Sequence, residues 1–248
     1  MGTSKSYRAR VKGQPQWGDL SSSVTRSCTT GEIAERNIGS ILSKFVNVVG
    51  GASNAGRGKS KIAGQGGARS AQKLGSFLGG FSSSGGDLTQ ALADTGLTDL
   101  TGKSAEDIIN HLIDYCSGSA RSIDDKAAKE ATRKLLEKIA EDAKTPDELE
   151  EALKATLEES SLEEVVIDYF GHYVFEHLSV MFYEKLVEEK GKAECSNLFG
   201  QIKKFIDNRL TKMNKTNPLN KVDWGSSDGE RIIFNIQEDV LKVFGDDD

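Results

Sequence analysis

Apolar residues recur at helical spacing along most of the chain, and no segment alternates with the two-residue period of a strand. The widest apolar stripe lies between Leu162 and Leu186, and six of the seventeen aromatic residues fall within it. We expect one helix from Ser161 to Lys190, about 40–45 Å long at 1.5 Å per residue. The pattern therefore predicts an all-α protein, a multi-helix bundle around a long, aromatic-rich central helix.

Helix starts are indicated by Ser or Thr followed three residues later by an acidic residue, the spacing of a capping box. This spacing occurs at Thr29, Ser104, Thr145 and Ser161. Pro146 strengthens the third start, because proline is favoured in the first helical position. Further helices are expected at about 68–81, 124–144, 192–212 and 227–244.

Charge and glycine divide the chain into three predicted parts. Residues 1–28 have no apolar periodicity and are expected to form a flexible, glycine-containing basic arm, with Trp17 and Leu20 as its docking points. Residues 29–86 form a glycine-rich basic segment, including a polar loop at 50–67 that is expected not to pack. Residues 1–86 hold 12 Lys/Arg against 3 Asp/Glu, whereas residues 87–248 hold 20 against 35 and form an acidic helical body.

The composition limits the cellular location of the protein and the class of protein to which it belongs. No segment has the ~18–20 apolar residues of a membrane span or the apolar region of a signal peptide. Cys28, Cys116 and Cys195 are odd in number and form no CxxC motif. They fit a reducing compartment, in which cysteines act as small apolar residues, so a cytoplasmic location is expected.

The run from Gly56 to Ser60 resembles the end of a phosphate-binding loop. Ser53 stands where that loop needs its first glycine, and the preceding segment is predicted as helix rather than strand. We interpret the run as a flexible basic loop and predict no nucleotide cofactor.

Two histidines resemble a zinc-binding helix. His172 and His177 are five residues apart, which rotates the second by about 140° relative to the first and off the shared face that a zinc helix needs. His111 has no partner nearby in sequence. We predict ordinary, partly buried histidines, no metal site and no catalytic residue, so the chain is expected not to be an enzyme.

The N-terminus carries the one reactive group that the sequence singles out. Removal of Met1 leaves the α-amine of Gly2, whose reference pKa of about 7.7–8.0 keeps part of it neutral and nucleophilic. Glycine has no Cβ, so it can enter a narrow active site. The chain therefore has the character of an enzyme's substrate.

Two other functions stay open at this point. Met1-Gly2 followed by Ser6 matches the N-myristoylation pattern and predicts a peripheral membrane adaptor, with the nearby basic residues as a second anchoring signal. The basic front of the chain also permits nucleic-acid binding, for which the candidate cations are Lys5, Arg8, Arg10, Lys12, Arg57, Lys59, Lys61 and Arg69.

A resemblance to a known family favours one function of the N-terminus over the others. Five segments of the chain carry the resemblance, in this order: Met1-Gly2-Thr3-Ser4, Trp17-Gly18-Asp19-Leu20, the glycine-rich loop at 50–67, Asp87-Leu88-Thr89-Gln90-Ala91-Leu92 and Tyr169-Phe170-Gly171-His172-Tyr173. Together they resemble the QatB family of the bacterial Qat anti-phage defence system. The likeness covers most of the chain in layout, although this chain has a basic stretch where some relatives are proline-rich.

The resemblance implies a covalent conjugation. Qat systems include an ATPase, a TatD-like nuclease and a QueC-like enzyme, which activates a 7-carboxy-7-deazaguanine with ATP. The resemblance implies that Gly2 is the modified residue, with a QueC-like (QatC-like) partner as the enzyme. It further implies that Thr3 and Ser4 line the enzyme's entry channel beside Gly2, and we expect Trp17 to contact the partner as well.

Overall fold

The computed structural model describes residues 15–216 and 227–245, and within them it contains eleven helices and no strand. The prediction of an all-α protein is confirmed. The helices are α1 Pro15–Ser27, α2 Glu35–Val48, α3 Ala52–Gly56, α4 Gln65–Ser83, α5 Leu88–Ala93, α6 Ala105–Ser117, α7 Ile123–Ile139, α8 Pro146–Glu159, α9 Leu162–Lys190, α10 Lys192–Thr216 and α11 Ser227–Gly245.

Helix α9 is the centre of the bundle, as its apolar stripe predicts. It contacts α1, α4, α7, α10 and α11, and its most extensive contacts are with α7 and α10. Tyr169, Phe170 and Tyr173 are fully buried on it and meet edge to face, with ring centroids 5.2 and 6.3 Å apart. Burial of such large rings supplies much of the apolar free energy that holds the neighbouring helices.

Capping residues set most of the predicted helix starts. Ser104, Thr145 and Ser161 each accept a hydrogen bond from the amide three residues later, and the acidic side chain there accepts one from the cap residue's amide. Ser122 forms the same box and starts α7 near the predicted position. These reciprocal bonds satisfy amides that otherwise have no partner in a first helical turn.

The start predicted at Thr29 is wrong. Helix α2 begins at Glu35, and its N-cap residue, Ala34, makes no side-chain capping bond. The residues from Thr29 to Ile33 are held instead by two amide side chains of α10, described below.

The prediction of a flexible arm over residues 1–28 is wrong for residues 15–27. They form α1, because Leu20 and Val24 lie one turn apart and are almost completely buried. The stripe has one apolar residue per turn and is interrupted by serines, so its periodicity is weak. Residues 1–14 lie outside the described residues.

The prediction that 50–67 is an unpacked loop is also wrong. It contains α3 and the start of α4, and Ala55 and Ala63 are buried. One core of buried residues runs from Leu20 to Phe244 and includes this segment. The domain boundaries at residues 28 and 86 stay predictions.

Candidate functional site at the N-terminal segment

The predicted site residues are divided by the limit of the described chain. Gly2, Thr3 and Ser4 lie outside the described residues. Trp17 lies in the first turns of α1, is partly buried, and its ring centroid is 6.4 Å from that of Phe182 on α9. Its docking on the chain's own core is confirmed, while its contact with a partner stays a prediction.

Helix α1 is fixed to the bundle along its length. Leu20 is 0% exposed and Val24 is 1% exposed, so both side chains are removed from water. The Lys44 ammonium on α2 donates a hydrogen bond of 2.6 Å to the Ser23 hydroxyl. Helix α1 therefore has a fixed position on the body.

The connection from α1 to α2 is fixed by two amide side chains of α10. Asn197 Nδ2 donates to the carbonyl oxygens of Thr29 at 2.8 Å and Gly31 at 2.7 Å. Gln201 Oε1 accepts from the Ile33 amide at 2.9 Å. A helix that started at Thr29 would bond the Ile33 amide to the Thr29 carbonyl oxygen, whereas here both groups are bonded to side chains of α10, which is consistent with the later start of α2.

Two cysteines meet beneath this connection. The sulfurs of Cys28 and Cys195 are 3.5 Å apart, and both residues are buried as free thiols. Burial and the neighbouring Cys28 sulfur raise the pKa of Cys195 to about 12, so its thiol is protonated at neutral pH. They act as the small apolar residues that the sequence predicts.

The segment that resembles a phosphate-binding loop packs against α11. A Cβ at Gly56 would lie 2.5 Å from Cα of Glu238, so the two backbones approach too closely for any other residue. The Glu238 carboxylate accepts hydrogen bonds of 2.9 Å from Ser53 Oγ and Arg57 Nε. These bonds lower the pKa of Glu238 to about 2. The buried carboxylate thus occupies the Ser53 hydroxyl and the Arg57 guanidinium, two donors that a bound anion would otherwise use.

A second set of buried contacts fixes the start of α4. Tyr173 Oη donates to Asp124 Oδ1 at 2.5 Å, the Gly66 amide donates to Asp124 Oδ2 at 2.8 Å, and the Gly64 amide donates to Tyr173 Oη at 2.8 Å. A Cβ at Gly67 would lie 2.9 Å from the Tyr173 ring. We call Gly64, Gly66, Asp124 and Tyr173 the glycine clamp.

The clamp explains why this part of the chain is rich in glycine. Its glycines permit close backbone approach and, at Gly64, a φ of +106°. Sequence reasoning identified neither Asp124 nor Glu238 as an anchor of this segment, because each reads as one more acidic residue on a helix. The only available signal was the density of glycine itself.

The three histidines lie in three separate environments. His177 is fully buried, with Nε2 3.3 Å from the Ile62 carbonyl oxygen, and burial lowers its pKa. His111 Nε2 lies 2.9 Å from Thr95 Oγ1. His172 is 7% exposed and lines a crevice on another side of α9. Both α9 histidines are more deeply buried than predicted, and the described residues hold no metal-type cluster of three ligands.

Comparison with known protein families shows to which family this chain belongs. The family model described as Qat anti-phage system associated protein QatB matches residues 50–244 of the chain, which is more than half of it. The chain belongs to the QatB family. No significant match was found among curated proteins or among solved structures.

Membership in the QatB family makes the protein a component of the Qat anti-phage defence system that works with other Qat components. The matched range starts at Gly50, so it includes the glycine clamp and the Gly56–Glu238 contact. It leaves out Gly2 and Trp17, the residues predicted to meet a partner.

Two of the cations proposed for nucleic-acid binding are already paired in this QatB-family protein. Arg57 lies 2.9 Å from Glu238, and Arg69 lies 2.5 Å from Asp125. Lys5, Arg8, Arg10 and Lys12 lie outside the described residues. Among the described helices, none is both long and apolar enough to cross a membrane.

Proposed function

We propose that this QatB-family protein is a non-enzymatic acceptor and adaptor, whose Gly2 α-amine receives a 7-deazaguanine from a QueC-like partner enzyme. The supporting observation is the anchoring of α1: the core holds the chain from Trp17 onward, and fourteen residues precede Pro15. After loss of Met1, thirteen of these residues remain and extend to at most about 43–47 Å, so the terminus can enter a deep site while the body stays outside.

The reaction is an acyl transfer. The partner joins the carboxylate of 7-carboxy-7-deazaguanine to AMP and releases pyrophosphate from ATP. The neutral Gly2 amine attacks the acyl carbon, AMP leaves, and the nitrogen loses one proton to give an amide. A glycine amine suits this step because it is partly neutral at pH 7 and has no side chain to obstruct the approach. Thr3 and Ser4 offer hydroxyls to the entry channel.

In this proposal the body contributes no catalytic residue. Its strongest polar sites, the glycine clamp and the Glu238 cluster, have their groups bonded within the fold, so they serve to hold the glycine-rich segment. The remaining surface is free to bind the defence ATPase and the TatD-like nuclease as further partners.

Mass spectrometry tests the proposal. The full chain is co-expressed with the QueC-like enzyme, and its intact mass and N-terminal peptide are measured. We expect a gain equal to the acid less one water, located on Gly2 after loss of Met1. Gly2→Ala should lose the gain. Gly18→Ala, which adds the same methyl group on α1 with nothing within 4 Å of it, should keep the gain.

Other results would overturn the proposal. An unmodified terminus would reject conjugation, and a gain retained in Gly2→Ala would place the acceptor elsewhere. The mass of a myristoyl group would favour the membrane adaptor instead.

A further inference from the structure

An open crevice lies between α7, the end of α8, the first half of α9 and α10. Its volume is about 630 Å³, within the range of sites that hold a ligand or a short peptide segment. Its lining includes four carboxylates and two lysines, so it carries a net negative charge. We call it the His172 crevice.

His172 lies at the wall of this crevice with an unused polar atom. Its side chain is only 6% exposed, and Nε2 has no hydrogen-bond partner among the described residues. The nearest carboxylate oxygen, Asp168 Oδ1, is 3.8 Å away, too far for a hydrogen bond. A buried polar atom without a partner is rare in folded proteins, and in a crevice it marks a place where a ligand can bond.

The charges around His172 select a cation. Lys138 is held by Asp168 at 2.8 Å, and Lys203 is a second lysine near Asp207. Burial lowers the pKa of His172 against the opposing effect of Asp168, so the ring is neutral at pH 7. Glu159 and Glu164 also line the crevice, so its four carboxylates exceed its two lysines, and this surplus negative charge attracts cations and repels anions.

The shape of the crevice fits the side chains of arginine and lysine. Leu135, Ile139 and Leu210 line it beside the charged groups. A guanidinium or ammonium group can meet the carboxylates while its aliphatic stem packs on these apolar side chains. Nε2 of a neutral histidine accepts a hydrogen bond when the proton is on Nδ1.

A segment with this chemistry belongs to the chain itself. The fourteen residues before Pro15 hold Lys5, Arg8, Arg10 and Lys12 and no acidic residue. Trp17 contacts Phe182, which is ten residues from His172 on α9, or about 15 Å along the axis. Residues 3–14 extend to at most about 40–43 Å, more than twice this separation along the axis.

We infer that the His172 crevice binds the basic N-terminal segment of the same chain, residues 3–14, through arginine or lysine side chains that meet Asp168, Asp207 and His172. The inference does not depend on any modification of Gly2.

Trypsin cleavage of the full chain gives the first test. Docking protects the peptide bonds after Arg8, Arg10 and Lys12, so we expect Asp168→Asn/Asp207→Asn to be cleaved there several-fold faster than the natural protein. The matched control, Glu184→Gln/Glu188→Gln, removes two exposed carboxylates from the far half of α9 and should be cleaved at the natural rate. Equal rates in all three proteins would overturn the inference.

Histidine NMR gives a second test. Its variant changes only the N-terminal segment and keeps the crevice residues, so the test applies even if the Asp168→Asn/Asp207→Asn protein fails to fold. The chain has three histidines, and His172 is assigned with His172→Gln. Replacing Lys5, Arg8, Arg10 and Lys12 by glutamine removes the bound cations, so the pKa of His172 should rise by several tenths of a unit. The rise should disappear in high salt.

The same spectra separate the possible occupants. A dependence of the His172 signal on protein concentration would assign the bound segment to a second copy and overturn binding within one chain. An unchanged His172 pKa in the glutamine variant would overturn docking of the segment altogether.

Discussion

His172 and His177 lie five residues apart on α9, in opposite surroundings. His177 is completely buried beside the glycine clamp, with its ring edge-on to Tyr173 at 5.7 Å and Nε2 near the Ile62 carbonyl oxygen. His172 has an unpartnered Nε2 at the wall of an open, charged crevice. One side of the central helix therefore fixes the fold through the bonded groups of the clamp, and the other has an unpartnered imidazole nitrogen beside a crevice.

The largest effect is expected at Gly64, on the clamped side. An alanine there would need a φ of +106° and would place its Cβ against the carbonyl oxygen of Ala55. Both the backbone strain and the overlap oppose folding, so Gly64→Ala should lower the free energy of unfolding by more than about 4 kcal/mol or prevent folding. Urea unfolding followed by circular dichroism measures the loss.

Gly80→Ala provides the control for this substitution. Gly80 is helical, and nothing lies within 4 Å of an added Cβ. It should stabilise the protein by about 0.5–1 kcal/mol, because alanine is the better helix former. A Gly64→Ala protein as stable as the natural one would show that the clamp does not constrain this segment.

Asp124→Ala should have the next largest effect. The carboxylate accepts bonds from the Gly66 amide and the Tyr173 hydroxyl, and its loss leaves both donors buried without a partner. We expect a loss of about 3–5 kcal/mol in unfolding free energy. Asp147→Ala, at an exposed position of α8, should change the stability by about 0.5 kcal/mol or less. Equal costs at the two positions would contradict a structural role for the clamp.

Much of the fold follows from periodicity and capping, and the clamp does not. The ends of α9 and the boxes at Ser104, Thr145 and Ser161 depend on residues close in sequence, which a local pattern records. The bonds that join Asp124 to Gly66 and Glu238 to Arg57 span 58 and 181 residues. Such pairs leave no local signal, so the glycine-rich segment was mistaken for a loop.

The candidate site shows the same limit. Leu20 and Trp17 were predicted as docking points and do contact the core, because isolated apolar residues in a polar stretch need burial. The crevice was not predicted, since Asp168, His172 and Asp207 come from two helices and look like solvated or core residues in sequence. Only packing of α9 on α10 brings them together.

Replacing each α9 histidine by leucine tests the comparison directly. His177→Leu leaves the Ile62 carbonyl oxygen without its imidazole partner in the core, so we expect a loss of about 1–2 kcal/mol. His172→Leu removes a nitrogen that has no partner and should change the stability by about 0.5 kcal/mol or less. Urea unfolding at pH 7.5 measures both. Equal losses would show that the two surroundings do not differ in bonding.

The pH dependence of stability should separate the two histidines by a smaller amount. Burial lowers the pKa of both in the folded protein against an opposing carboxylate, Asp124 for His177 and Asp168 for His172, and His177 is the more completely buried of the two. Below the unfolded pKa of about 6.5 the unfolded chain binds a proton that the folded chain excludes, so stability falls on acidification. Each fully excluded proton contributes up to about 1.4 kcal/mol per pH unit. Between pH 7 and pH 5.5, His177→Gln should therefore flatten the fall in unfolding free energy more than His172→Gln does. A larger flattening in His172→Gln would assign the stronger desolvation to the crevice and reverse the comparison.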